Sequence, residues 1–101
     1  MVEGYRSMTL DELRRRIDAL DDRLVRLLGE RAELVLEIGR VKQELGTTVH
    51  QPGRESAVLA HVLAANEGPL PDAAIVRLFR AIMEESTRLQ QDHRPDDPAG
   101  G

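Results

Sequence analysis

Polar side chains occupy positions where the surrounding helical pattern calls for apolar ones. Arg31 interrupts a stripe of leucine and isoleucine, and Lys42 follows eleven residues later, which is about 20° away around a helix at about 100° per residue. The two cations are expected about 16 Å apart along the helix axis, so that both long side chains can reach one small anion. A charge in an apolar stripe costs free energy unless an opposite charge pairs with it. The spacing therefore indicates an anion-binding site.

Two later segments carry similar polar groups beside apolar ones. Arg54 lies one helical turn before Val58, and Glu55 lies one turn before Leu59. In the last segment, Ser86 and Gln90 are the final members of an apolar stripe. Taken singly, these side chains have ordinary explanations: solvated cations, a first-turn acid favoured by the helix dipole, and polar residues near a helix end. Their coincidence on three segments favours one shared polar pocket.

A long first helix must position Arg31 and Lys42. Thr9 and Glu12 have the spacing of a capping box, and Gly46 offers a C-terminal stop. Apolar residues recur between them in steps of three and four: Leu10, Leu13, Ile17, Leu20, Leu24, Leu27, Leu34, Ile38, Val41 and Leu45. A helix of about 36 residues is about 54 Å long. This is too long for a compact globule of 101 residues, so the seam predicts a partner along its length.

Two shorter helices are predicted after a linker over residues 47–51. Pro52 suits the first turn of the second helix, which is expected to end near Asn66. The stretch 68–71 breaks the chain, and the third helix is expected to start about Asp72. The apolar positions of the second helix are Val58, Leu59, Val62 and Leu63. The expected buried side of the third helix consists of Ile75, Leu78, Phe79, Ile82, Met83 and Leu89. The predicted fold class is all-α, with three helices per chain.

Composition argues against several classes of function. The net charge is −4, the chain has no cysteine, and its three histidines are scattered, so we expect no nucleic-acid partner, no disulfide and no metal site. No apolar run reaches the length of about 20 residues that a membrane span needs, and the first residues lack the apolar core of a signal peptide. We therefore expect a soluble cytoplasmic protein. Residues 1–8 are interpreted as a tail, 9–91 as one domain and 92–101, polar and rich in proline and glycine, as a disordered tail.

The chain resembles the helical (AroQ-class) chorismate mutases over about residues 10 to 91. The matching segments are residues 13–21, 27–31, 38–42, 54–55, 77–79, 82–86 and 89–91. Each is short, but the ordered set at the family's spacing is specific. The resemblance implies the conversion of chorismate to prephenate, a Claisen rearrangement on the route to phenylalanine and tyrosine, without metal or organic cofactor. It also implies an intertwined antiparallel homodimer in which each long first helix contributes to both sites.

The resemblance assigns three arginines to the two carboxylates of the substrate. These are Arg31 and Arg54 of one chain and Arg14 of the other, with Ser86 assisting at a carboxylate. Arg14 lies seventeen residues before Arg31, about 25 Å along the same helix, so it cannot reach the same small ligand within one chain. An antiparallel partner helix centred near Asp22 or Arg23 brings the two arginines together, and two-fold symmetry then gives two equivalent sites.

The remaining roles concern the ether oxygen and the ring hydroxyl of chorismate. The resemblance implies that Lys42 and Gln90 donate hydrogen bonds to the ether oxygen and that Glu55 accepts one from the hydroxyl. Gln51 departs from the pattern, because better-known members have Asp there; an amide can still bond a hydroxyl. The candidates for the apolar walls are Val35, Ile38, Val58, Ile82 and Met83.

Two other functions remain open at this point. Isochorismate-pyruvate lyases resemble the same family and use a similar cationic pocket. A non-catalytic helical dimer that regulates another enzyme of the aromatic pathway is the third interpretation, and such an enzyme is also a candidate partner of an active mutase. The set of Glu55, Ser86 and Gln90 fits the mutase better than the lyase. A purely regulatory module has no reason to retain six polar groups on buried faces, which also favours the mutase.

Overall fold

Three α-helices make up most of the part of the chain that the structure describes. The structure, a computed structural model, describes residues 7–46 and 52–93. Within them lie α1 (Leu10–Leu45), α2 (Arg54–Ala65) and α3 (Asp72–Asp92), and this part of the chain contains no strand. The all-α prediction with three helices is confirmed. The predicted linker over residues 47–51 lies outside the described residues, as do residues 1–6 and 94–101 of the predicted tails.

Both ends of α1 form as the sequence predicts. The Glu12 backbone N–H donates to the Thr9 hydroxyl oxygen over 3.1 Å, which satisfies a donor that the first helical turn leaves without a partner. At the other end, Gly46 has φ +73, and its N–H donates to the Gln43 carbonyl over 3.1 Å. A left-handed backbone suits glycine, so Gly46 ends the helix.

The start of α2 differs from the prediction by two residues. Proline was expected in the first helical turn, yet α2 begins at Arg54, after Pro52 and Gly53 form a turn. Gly53 has φ 91 and ψ −19, in the left-handed region, and its carbonyl accepts the first helical hydrogen bond, from the Ala57 N–H, over 3.0 Å. A side chain is strained at this φ, whereas glycine is not. The glycine therefore sets where the helix begins, and the proline precedes it.

The connection between α2 and α3 is fixed by one asparagine side chain. The Asn66 side-chain amide donates to the Leu70 carbonyl over 2.9 Å and to the Asp72 carboxylate over 2.9 Å. Because Asp72 is the first residue of α3 and Asn66 follows the last residue of α2, the amide joins the two helix ends. This bridge orients α3 relative to α2.

Internal contacts divide the chain into two compact units, Met1–Glu33 and Leu34–Gly101, and α1 contributes to both. The described part of the first unit consists of α1 and the residues that cap it, and α1 contains no buried residue. Most apolar side chains of α1 are exposed in the single chain: Leu10, Ile17, Leu20, Leu24, Val25, Leu27, Leu28, Leu34, Ile38, Val41 and Leu45. An apolar face of this extent calls for a partner surface.

The second unit contains the packed helices α2 and α3. Val58 is buried. Half-buried apolar side chains on the two helices include Leu59, Val62, Leu63, Ile75, Phe79, Ile82, Met83 and Leu89. The prediction that Leu78 is buried is wrong for the single chain, where it is 52% exposed. It lies about 100° around α3 from Phe79, away from the side that packs. No helix in residues 7–46 and 52–93 is long and apolar enough to cross a membrane.

Candidate active site

The last turns of α1 present a cation on the face that also carries Val35 and Gly39. Lys42 is half-buried and lies in the last turn of the helix. It follows Val35 by seven residues and Gly39 by three, so all three positions lie within about 60° of one another around the helix. The aliphatic stem of a half-buried lysine can cover apolar surface while its ammonium extends toward polar groups or an anion.

Gln90 of α3 lies against this same face of α1. Its half-buried side-chain amide donates to the Val35 backbone carbonyl over 2.8 Å. The side chain also runs close to Gly39, where a Cβ atom would lie 3.5 Å from the Gln90 Cγ and 3.6 Å from its Nε2. Gly39 and Lys42 are separated by about 4.5 Å along the helix axis. The structure therefore brings the amide of Gln90 to the turn that precedes Lys42.

Ser86 is one helical turn before Gln90 and is also half-buried. Its hydroxyl donates to the Ile82 carbonyl over 3.0 Å, a local bond that serine commonly makes within helices. Since the hydroxyl can rotate, it can donate to a ligand when one is bound.

The polar residues at the start of α2 are more exposed than those on α1 and α3. Arg54 and Glu55 are the first two residues of α2, and both are exposed. Glu55 forms an ion pair with Arg80 of α3, with 3.8 Å between the carboxylate Oε1 and the guanidinium Nε. Sequence reasoning missed Arg80, because its contact depends on how α3 packs against α2. An ion pair with a guanidinium helps to orient the carboxylate.

Two of the predicted arginines belong to the first unit. Arg31 is half-buried on α1, whereas Arg14 is exposed on the second turn of the helix. Gln51 lies outside the described residues. The candidate residues of the second unit are thus Lys42, Ser86, Gln90, Arg54 and Glu55. Arg14 and Arg31 belong to the first unit, Met1–Glu33.

Neighbouring charges on α1 serve a different purpose from Lys42. Arg40 forms ion pairs with Glu37 and, over 2.5 Å, with Glu44 on its own helix. The hydrogen bond from Arg40 lowers the pKa of Glu37 below its ordinary value of 4.5. Lys42 lies about 200° around the helix from Arg40, on the opposite side from this surface network. These intrahelical pairs are ordinary surface stabilisation.

The predicted apolar walls are only partly enclosed by the single chain. Val58 is buried, and Val35, Ile82 and Met83 are half-buried, but Ile38 is 48% exposed. Within the described residues, no cluster of three or more histidine, aspartate and glutamate side chains is arranged to hold a metal ion. A cation and an amide donor against a partly apolar wall are suited to an anionic organic ligand.

Gly39 is the second feature whose role the sequence did not reveal. The motif around Lys42 contains it, but a glycine inside a helix has no side chain to suggest a contact. The signal that could have found it is the cost of glycine in a helix interior, about 1 kcal/mol relative to alanine, which favours a packing reason for its presence.

Comparison with known proteins supplies the family. The family model for chorismate mutase type II matches residues 13–91. A bifunctional chorismate mutase/prephenate dehydratase of Pseudomonas aeruginosa is 42% identical over 87 residues, which are 81% of this chain and 24% of the relative. One of Neisseria gonorrhoeae is 43% identical over 90 residues, covering 84% of this chain and 24% of the relative. The chain therefore spans about a quarter of the length of these curated relatives.

A solved structure matches over nearly its whole length. Chorismate mutase (form II) from Thermus thermophilus superposes with a TM-score of 0.79 at 41% sequence identity, covering 87% of this chain and 98% of the other. The similarity thus extends over all three helices, and it agrees with the family match over residues 13–91. The chain belongs to the chorismate mutase type II family.

Proposed function

We propose that this chain catalyses the rearrangement of chorismate to prephenate and that its working form is an antiparallel homodimer. The observation that carries the proposal is the pairing of two hydrogen-bond donors on one face of α1. Gln90 lies against Val35 and Gly39, at the turn before the half-buried Lys42. The family match over residues 13–91 supports the substrate.

The reaction demands positioning and electrostatics, with no acid, base or nucleophile from the protein. Chorismate is a flexible dianion that must adopt a compact, chair-like geometry before its C–O bond breaks and a new C–C bond forms. Holding that geometry is an orientation effect, which can lower the barrier by several kcal/mol. Negative charge develops on the ether oxygen in the transition state, so preorganised donors aimed at that oxygen stabilise the transition state more than the substrate.

Lys42 and Gln90 are proposed as the donors to the ether oxygen. The ammonium of Lys42 contributes a full charge, and the Gln90 amide contributes a neutral N–H. The Gln90 nitrogen has two hydrogens, so it can keep its bond to the Val35 carbonyl while it donates to the substrate. A donor that is already oriented needs little reorganisation as the charge develops.

The carboxylates of chorismate are proposed to bind three arginines, because guanidinium groups are planar, permanently charged and able to form paired hydrogen bonds. Arg54 begins α2 in the same unit as Lys42. Arg31 and the partner's Arg14 are assigned by sequence register and family resemblance. Ser86 is proposed to assist once its hydroxyl turns from the Ile82 carbonyl.

The ring hydroxyl is proposed to donate to Glu55. This carboxylate lies beside Arg80, which helps to orient it, and its oxygens can accept hydrogen bonds. Gln51 is proposed to lie near the same hydroxyl, because an amide oxygen can accept the bond that an aspartate accepts in other members of the family.

The exposed face of α1 supports the homodimer. Ile17, Leu20 and Leu24 are each more than half exposed in the single chain, and a second copy of α1 offers a matching apolar surface. An antiparallel arrangement centred near Asp22 is isologous, as a two-fold dimer requires. The partner's Arg14 is then proposed to enter the site that contains Arg31.

The extent of the functional domain is proposed as residues 9–91. The family match over residues 13–91 supports these limits. Relatives named as bifunctional chorismate mutase/prephenate dehydratase carry a second activity on one chain. By analogy, an enzyme that consumes prephenate is a candidate partner of this chain.

The proposal is tested with purified protein, by following the loss of chorismate absorbance and the formation of prephenate. Lys42→Ala is expected to lower kcat by at least about 10²-fold, as loss of a donor to a developing oxyanion does. Arg40→Ala is the matched control, because Arg40 lies two residues away, is exposed and pairs with Glu37 and Glu44; its kcat should stay at the wild-type value. Equal rates for the wild type and Lys42→Ala would refute the assignment. Isochorismate is offered as a second substrate in a separate assay. Formation of salicylate from isochorismate, with no prephenate formed from chorismate, would show that the protein is a lyase.

A further inference from the structure

We propose that Gly39 is a positioning residue, whose small size leaves the space in which the Gln90 amide is held against α1 beside Lys42. The inference rests on the proposed function, since it explains how one of the two donors to the ether oxygen is oriented. Gly39 itself touches no substrate in this proposal and acts through Gln90.

The first supporting observation is the direction of the Gln90 amide. Its nitrogen donates to the backbone carbonyl of Val35 in α1 over 2.8 Å. A side chain from α3 can reach a backbone carbonyl of α1 only where the α1 side chains beside that carbonyl are small. Gly39 is one turn after Val35 on the same face, so it lies beside the path of the Gln90 side chain.

The second observation is the space above Gly39. A Cβ atom there would lie 3.5 Å from Gln90 Cγ, 3.6 Å from Nε2 and 3.7 Å from Cδ. These are ordinary van der Waals distances, so one methyl group fits with the amide in place. A branched side chain adds two further carbon atoms beyond Cβ, and they must share the volume that the amide occupies. The amide would then leave the Val35 carbonyl.

Gly29 provides a natural contrast within the same helix. A Cβ atom at Gly29 would meet nothing within 4 Å in the chain, so the two helical glycines differ in whether they contact a side chain. Replacing glycine in a helix interior by alanine usually raises stability, because alanine has the higher helix propensity. A loss of activity in Gly39→Val, with Gly39→Ala and Gly29→Ala stable and active, would therefore separate positioning from folding.

Kinetics of four variants test the inference. Gly39→Val is expected to lower kcat by at least about 10-fold with KM changed by less than about 3-fold, because the displaced amide acts on the transition state. Gly39→Ala and Gly29→Ala are expected to keep kcat within about 2-fold of the wild type, with Tm equal or higher. In a Gln90→Ala background, Gly39→Val should cost no further activity. Wild-type kcat in Gly39→Val, or an equal loss in the Gln90→Ala background, would overturn the inference.

A measurement independent of activity keeps the inference testable if Gly39→Val does not fold. The side-chain NH₂ resonances of Gln90, assigned by their absence in Gln90→Ala, are expected to shift in Gly39→Ala and to remain in place in Gly29→Ala. Unchanged resonances in Gly39→Ala would mean that Gly39 does not seat the amide. If wild-type protein leaves chorismate unchanged, the proposed function fails, while the same spectra still decide whether Gly39 holds Gln90.

Discussion

The two units of the chain bury their apolar side chains to different extents. In the unit Leu34–Gly101, α2 packs against α3, Val58 is buried, and the Asn66 amide and the Gln90 amide each bridge two helical segments. In the described part of the unit Met1–Glu33, α1 is the only helix, and Leu20 and Leu24 are 51% and 56% exposed. Burying one such side chain contributes about 1.5–3 kcal/mol. The first unit thus lacks, within one chain, the burial that stabilises the second.

This difference indicates what each unit requires to be stable. An isolated helix is marginal in water, because its stability in proteins comes mainly from packing of an apolar face. The second unit supplies such packing within the chain, whereas the first is proposed to obtain it from the second copy of the homodimer. We therefore expect changes in the first unit to act on association and on both sites, and changes in the second to act on folding and local chemistry.

The largest effect is expected from a charge in the middle of the exposed face of α1. Leu24→Glu should convert the dimer to a monomer, because two carboxylates would be buried near the two-fold axis. Activity should fall by about 10²-fold, since each site then lacks the partner's arginine. Sedimentation and the chorismate assay measure both effects. Arg26→Ala, about 200° around the helix from Leu24, is the control and should remain dimeric; a fully active monomeric Leu24→Glu variant would contradict the role of the partner.

Mixing two inactive variants sharpens the same point. Arg14→Ala and Lys42→Ala chains are each expected to lack activity as homodimers, but a mixed dimer has one site with both residues intact. Random association makes half of the dimers mixed, each with one working site of two, so about a quarter of wild-type activity should return. The assay is repeated after co-refolding equal amounts of the two chains. No recovery would mean that Arg14 does not complete a site in the other chain.

A core substitution in the second unit is expected to have a different signature. Val58→Ala removes two buried carbon atoms and should lower the free energy of unfolding by about 2 kcal/mol. The dissociation constant of the dimer should stay unchanged, because Val58 is buried within its own chain. Urea unfolding and sedimentation measure the two quantities. A weaker dimer with unchanged unfolding would show that Val58 belongs to the interface.

Local signals in the sequence predicted the helices and the half-buried positions of two candidate site residues. Thr9 and Gly46 mark the ends of α1 through hydrogen bonds to nearby backbone, so their effect can be recognised from neighbouring residues alone. Ser86 and Gln90 were predicted on the buried side of α3 from helical periodicity, and both are half-buried. These features depend on residues no more than a few turns apart.

Features that depend on packing between helices could not be predicted in the same way. The contact of Arg80 with Glu55 joins residues 25 positions apart, and its geometry follows from the angle at which α3 crosses α2. The left-handed backbone of Gly53 displaced the predicted start of α2 by two residues, because Pro52 gave a competing and plausible start. Leu78 satisfied the apolar pattern yet lies outside the packed side. For Arg80 and Leu78 the packing of the helices decided between alternatives that local sequence allowed, and for the start of α2 the backbone conformation of Gly53 did.

The smallest effect is expected from Arg80, whose side chain and that of Glu55 are both more than half exposed. Arg80→Ala frees the carboxylate to adopt other rotamers, so we expect KM to rise about 3-fold with kcat unchanged, since the bond from the ring hydroxyl is equally strong in substrate and transition state. Arg80→Lys should recover part of the loss, and Arg80→Ala in a Glu55→Gln background should have no effect. Arg88→Ala is the control, because Arg88 pairs with Glu85 over 2.6 Å within α3. An equal rise in KM for Arg88→Ala would mean that the positive charge of α3 in general, and not the pairing with Glu55, favours substrate binding. A rise confined to Arg80→Ala would show that the contact between α2 and α3 contributes to substrate binding.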